Sequence, residues 1–77
     1  MPINITLFGQ LAEIVGNTTL QLNNITNTNE LQAEMQLLYP AFANARYAIA
    51  IDRQIVSENT TITDKTMVAL LPPFSGG

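Results

Sequence analysis

At 77 residues the chain is one domain, and a domain of that size buries only about 60% of its unfolded surface, so its stability margin is small. It contains no cysteine and no histidine, which excludes disulfides and thiolate metal sites and removes the commonest general base and metal ligand; a self-sufficient hydrolase or metalloenzyme is not expected, although carboxylates could still hold a hard cation. The net charge of −3 includes just three basic residues, Arg46, Arg53 and Lys65, too few for nucleic-acid binding, and Met1-Pro2-Ile3-Asn4 lacks the basic and apolar segments of a targeting signal, so the expected location is the cytoplasm.

Ile3, Ile5 and Leu7 alternate with Asn4 and Thr6, the pattern of a half-buried strand. Gln10 to Val15 follows as a short helix, with Leu11, Ile14 and Val15 at helical spacing and Gly16-Asn17 as its C-terminal cap. Thr18 to Leu22 alternates again, with Leu20 and Leu22 on one face. The main helix opens at Asn27, where Glu30 three residues later forms a capping-box pattern. Leu31, Met35 and Leu38 then recur at i, i+4 and i+7 as its core face, and Pro40 ends it. Tyr47 to Ile51 is the next strand, with Ile49 and Ile51 inside. Asp52-Arg53-Gln54 reads as a turn without the glycine that favours a tight hairpin, and Ile55-Val56 as a short strand after it. Thr63-Asp64-Lys65-Thr66 is a second turn. Met67 to Leu71 is the last strand; its unbroken apolar run fits burial on both faces, or one face reserved for a partner.

Strands at both ends with one main helix between them predict an α+β domain with the helix packed across a sheet. The first and last strands are the most apolar and are expected side by side at its centre. Beyond the last strand, Pro72-Pro73 cannot donate to a ladder, so the sheet stops there. Residues 72–77 read as an extended tail, and six residues at about 3.1 Å each reach roughly 18 Å from the domain. Gly76 and Gly77 carry no side chain, so a carboxylate on Gly77 can enter sites that a Cβ would block. A frayed end is the bland reading of such a tail, but Phe74 argues for docking, because an idle tip gains nothing from an exposed ring.

Two apolar residues also fall out of phase with the core. Phe8 is opposite in phase to Ile3, Ile5 and Leu7, and Leu71 to Val68 and Leu70; of Ile55 and Val56, one must face away. On adjacent strands, Phe8 and Leu71 would make an exposed apolar patch at the base of the tail, of the kind that marks protein interfaces. The alternative is a second sheet face covered by Ala43 and Tyr47.

These residues resemble a known family. Residues 7–16 (Leu7-Phe8-Gly9-Gln10 onward), 27–31, Tyr39-Pro40, 50–56, 62–64 and above all Pro72-Pro73-Phe74-Ser75-Gly76-Gly77 make the chain similar, over its full length, to the small sulfur-carrier subunit of molybdopterin synthase. Departures fall at Ala12, where members often carry Arg, at Asp52-Arg53 and at Asp64-Lys65-Thr66, and leave the tail untouched. The resemblance implies a ubiquitin-like β-grasp fold and a carrier cycle. An ATP-dependent, E1-like adenylyltransferase activates the Gly77 carboxylate. A sulfur donor, a sulfurtransferase or cysteine desulfurase, converts it to a thiocarboxylate. Pro72, Pro73, Phe74, Ser75 and Gly76 then thread Gly77 into the large synthase subunit, which supplies the catalytic side chains. Phe8, Ile55 and Leu71 fall at the family's apolar partner patch. The carrier itself binds no cofactor or metal, and two small and two large subunits form a heterotetramer. Two related readings share the activation chemistry: a thiamine-pathway sulfur carrier, which usually lacks the Pro-Pro step, and a ubiquitin-like protein modifier. An interaction domain with an incidental tail is the remaining alternative.

Overall fold

A computed structural model describes residues 2–73. Its elements are β1 (Ile3–Leu7), α1 (Gln10–Val15), β2 (Thr19–Leu22), α2 (Thr28–Leu38), a 3-10 turn at Pro40–Ala43, β3 (Ala48–Ile51), β4 (Gln54–Val56) and β5 (Val68–Leu71). The strands form one five-stranded sheet in the order β2-β1-β5-β3-β4. β1 and β5 pair in parallel at its centre, with Ile5 opposite Val68 and Leu7 opposite Leu70. The other neighbours are antiparallel. This is the expected α+β, β-grasp arrangement, with the most apolar strands in the middle.

Period-two alternation decides the faces. Ile3, Ile5, Leu7, Leu22, Ile49, Ile51, Val68 and Leu70 point to one side and meet Leu11, Leu31, Met35 and Phe42 in a single core. The strands run slightly shorter than the alternation predicts, since Thr18, Tyr47 and Met67 fall one residue outside β2, β3 and β5. The Thr18 carbonyl still accepts from Leu7 N–H at 2.8 Å.

The start of α2 is satisfied differently from the predicted reciprocal box. Asn27 Oδ1 accepts from Glu30 N–H at 2.9 Å, as expected. The Glu30 carboxylate, however, accepts from Thr26 rather than from Asn27, through the Thr26 N–H at 2.8 Å and its hydroxyl at 2.7 Å. These bonds, the hydroxyl's first, pull the Glu30 pKa below the usual carboxylate range. The next free donors of the helix are met from residues 59–60: Thr28 N–H reaches the Thr60 carbonyl at 2.9 Å and Asn29 N–H reaches Asn59 Oδ1 at 2.9 Å. The chain preceding β5 therefore clamps the helix start, so the orphan donors of the first turn are met inside the protein.

At the other end of α2 the expected core residue is replaced. Leu31 and Met35 are fully buried, but Leu38 is 49% exposed. Tyr39 takes an extended conformation before Pro40, at φ −134° and ψ 89°. Pro40 then opens the 3-10 turn instead of simply ending the helix, and Phe42, 1% exposed, swings back into the core. Tyr47 packs edge-on against Phe42, ring centroids 5.4 Å apart. Burial on this side raises the Tyr47 pKa above the usual phenol value.

Candidate functional site: the open sheet face and the base of the tail

Tyr47 shares the helix side with Phe42, and Ala43 is exposed, so neither covers the second face of the sheet. That face is built in rows, because residues paired across strands share a side. One row runs Thr6–Ala69–Ala50–Ile55 across β1, β5, β3 and β4. The next contains Ala48 opposite Leu71, and Phe8 extends it: Phe8 N–H donates to the Leu70 carbonyl at 3.2 Å, which continues the ladder and sets Phe8 beside Leu71. The predicted juxtaposition is therefore present. Phe8 is 47% and Ile55 59% exposed, Leu71 is half-buried, and Val56 packs on the core. Of the Ile55-Val56 pair, Ile55 is the one that faces outward.

The phase argument also applies to a residue it did not select. Met67 has the parity of Leu71 and is 57% exposed. Small side chains set the shape between these rims. Ala50 and Ala69 make a low floor, and a depression of 470 Å³ lies over it, bordered by Phe8, Met67, Arg53 and Lys65. The result is a shallow apolar trough rather than an enclosed pocket.

Two local conformations frame the trough. At one end, Asp52 and Arg53 both have positive φ, 49° and 72°, and Ile51 pairs with Gln54. The hairpin is thus a two-residue turn of the primed type formed without glycine, and Gln54 belongs to β4 rather than to the turn. Asp52 fastens it to the start of β5, since its N–H donates to the Met67 carbonyl at 2.8 Å and its Oδ1 accepts from Met67 N–H at 2.9 Å. The predicted Thr63–Thr66 turn is closed by Thr63 N–H on Thr66 Oγ1 at 2.9 Å.

At the other end the chain leaves the sheet at Pro72. Gly9, at φ 58° and ψ −133°, caps α1 without a side-chain hydrogen bond. A Cβ built on Gly9 would lie 3.0 Å from Pro72 Cγ. The missing side chain therefore lets Pro72 lie against the β1–α1 junction, a contact that no local sequence pattern signals. Pro73 is exposed beyond it; Phe74, Ser75, Gly76 and Gly77 lie outside the described residues.

Among the described residues, Glu30 and Tyr47, whose pKa values are displaced, lie at the helix start and on the core side, away from the trough. Among the described residues no group of three or more His, Asp or Glu is placed to hold a metal ion, and no helix is long and apolar enough to cross a membrane. The open face offers shape, apolar surface and a few charges, which suit binding rather than acid–base chemistry.

No curated protein sequence matches the chain significantly. Among solved structures, a Pyrococcus furiosus protein assigned by inference as subunit 1 of a molybdopterin converting factor superposes with a TM-score of 0.82 at 16% identity, covering 96% of this chain and 99% of that one. Small archaeal modifier protein 1 from Haloferax volcanii gives 0.80 at 18% identity over the whole of both chains. The complex of subunits 1 and 2 of the molybdopterin-converting factor from Helicobacter pylori contains a chain that matches at 0.70 and 25% identity, again over the full length of both. The ThiS family model matches residues 5–77. With the β-grasp sheet and the tail base in place, the chain belongs to the ThiS family of ubiquitin-like sulfur carriers.

Proposed function

We propose that this carrier serves molybdenum cofactor biosynthesis as the small subunit of a molybdopterin synthase. The observation that carries the reading is the open sheet face that presents Phe8, Ile55 and Leu71 beside the Ala50–Ala69 trough: an apolar surface lies along the strand that leads toward Gly77. In this reading an E1-like adenylyltransferase joins the Gly77 carboxylate to AMP from ATP, with loss of pyrophosphate. A sulfur donor displaces AMP and leaves a thiocarboxylate. The open face docks on the large subunit, residues 72–77 enter its active site, and sulfur passes to the precursor. A heterotetramer of two small and two large subunits is the expected assembly. The Helicobacter complex supports a second-subunit partner, and Pro72-Pro73 favours this pathway over the thiamine one.

The test is to incubate the chain with ATP, a cognate activating enzyme and a sulfur donor, then measure the mass of the C-terminal peptide. An oxygen-to-sulfur mass gain at Gly77 is expected. A peptide of unchanged mass overturns the carrier cycle. Slow-migrating conjugates in cells, in place of transfer to the large subunit, would establish the protein-modifier reading instead.

A further inference from the structure

The end of the trough farthest from Pro72 is charged. Arg53 and Lys65, two of the chain's three basic residues, border the depression, and one carboxylate, Asp64, borders it with them. The neighbouring Asp52 carboxylate is engaged, since its Oδ1 holds Met67 N–H at 2.9 Å. A chain of net charge −3 thus sets two of its three cations on the lining at the head of an apolar trough, where they outnumber the one lining carboxylate, while the charged Asp52 is tied to the start of β5. Arg53 also sits at φ 72°, the second position of a two-residue hairpin, where glycine would be free of strain. A bulky residue held in a strained turn beside a binding surface is a pointer to use of its side chain.

We propose that Arg53, assisted by Lys65, is a docking residue that receives a carboxylate of the partner. The occupant is a segment of the large synthase subunit that lays an apolar side chain over Ala50 and Ala69 and sets an acidic residue at the Arg53 end. The proposal rests on the docking reading above and deepens it. Arg53 and Pro72 stand at opposite ends of β5, whose four residues span about 13 Å at 3.3 Å each. A partner held at both ends cannot swivel about the apolar patch, so the charged end orients the partner relative to the tail. Rim charges of this kind act chiefly by steering encounter, which raises the association rate and makes it salt-sensitive. The planar guanidinium also suits a carboxylate better than an ammonium does.

The experiment uses the full chain and the cognate large subunit, with association and dissociation rates measured at low and at physiological salt. Arg53→Gly is expected to raise the melting temperature, because it relieves the strained turn, and yet to slow association several-fold at low salt and flatten its salt dependence. Dissociation should change little. Arg53→Lys keeps the charge and the strain and should retain most of the association rate, which separates charge from backbone effects. Arg53→Glu with Lys65→Glu should slow association further. An Arg53→Gly chain that associates as fast as the parent, with the same salt dependence, overturns the proposal while leaving the carrier reading standing. A parent chain that does not bind the large subunit overturns both.

Discussion

Gly9→Ala isolates the contact that seats Pro72 against the domain. At φ 58° and ψ −133° an L-residue is strained by about 1–3 kcal/mol whatever surrounds it. The new methyl would also press on Pro72 Cγ at 3.0 Å, and a pyrrolidine ring cannot rotate aside as a flexible chain end would. A loss of about 2 kcal/mol, at 4–8 °C per kcal/mol for a domain of this length, lowers the melting temperature by roughly 8–16 °C. Thermal unfolding monitored by circular dichroism measures it. Two companions divide the effect. Adding Pro72→Ala removes the atom in the way, so the double variant should recover part of the loss as a coupling between the two sites. D-alanine at position 9, introduced by peptide ligation, keeps the positive φ without strain. A Gly9→Ala shift within about 3 °C, the size of an ordinary surface substitution, would refute the reasoning. So would a Pro72→Ala background that gives no recovery.

Phe42→Ala should cost about 3–5 kcal/mol as a buried aromatic, a large share of the ~4–12 kcal/mol available to a chain of this size; Leu38→Ser should stay within about 0.5 kcal/mol. Urea unfolding of both variants checks the exchange of roles between these residues, and equal losses would contradict it. Glu30→Gln should remove a pH-dependent contribution. Because Thr26 lowers the pKa of Glu30 in the folded chain, the contribution is whole above the usual Glu range and fades as pH falls through the lowered value. The stability gap between parent and variant should therefore be constant near neutrality and close on acidification; a gap that persists in strong acid would count against the Thr26 bonds.

The parts of the fold legible from residues alone are those governed by side-chain period. Ile3, Ile5 and Leu7 announce their face because alternate residues of a strand must point opposite ways, and the same rule exposes Phe8 and Leu71 as misfits of the core. Pro72-Pro73 is legible because a missing N–H ends a ladder wherever it occurs. Leu38 fails because helical spacing says which residues share a face but not where the sheet beneath that face ends; the Pro40 turn delivers Phe42 there instead. The Glu30 arm reaches Thr26 rather than Asn27, and the Thr28 and Asn29 donors are met from residues 59–60, about 30 positions downstream, a pairing too distant in sequence for a local motif to signal. The trough is invisible for a related reason. Ala50 and Ala69 read as unremarkable small residues until cross-strand register places them together between larger ones. Arg53 was legible as a turn residue, but its strain depends on the hairpin's two-residue length.

The parallel pairing of β1 with β5 has a consequence for how damaged copies of this protein behave. The central strand of the sheet is also the last of the five described strands in chain order, and the two hairpin-like halves on either side have no contact through the sheet without it. A chain cut short before Val68 lacks the strand that joins β1 to β3, so it cannot fold into a domain that merely lacks residues 72–77. Truncated products would be unfolded and open to proteolysis rather than folded domains with a shortened C-terminus. The architecture thus ties possession of the fold to possession of the residues that lead to Gly77.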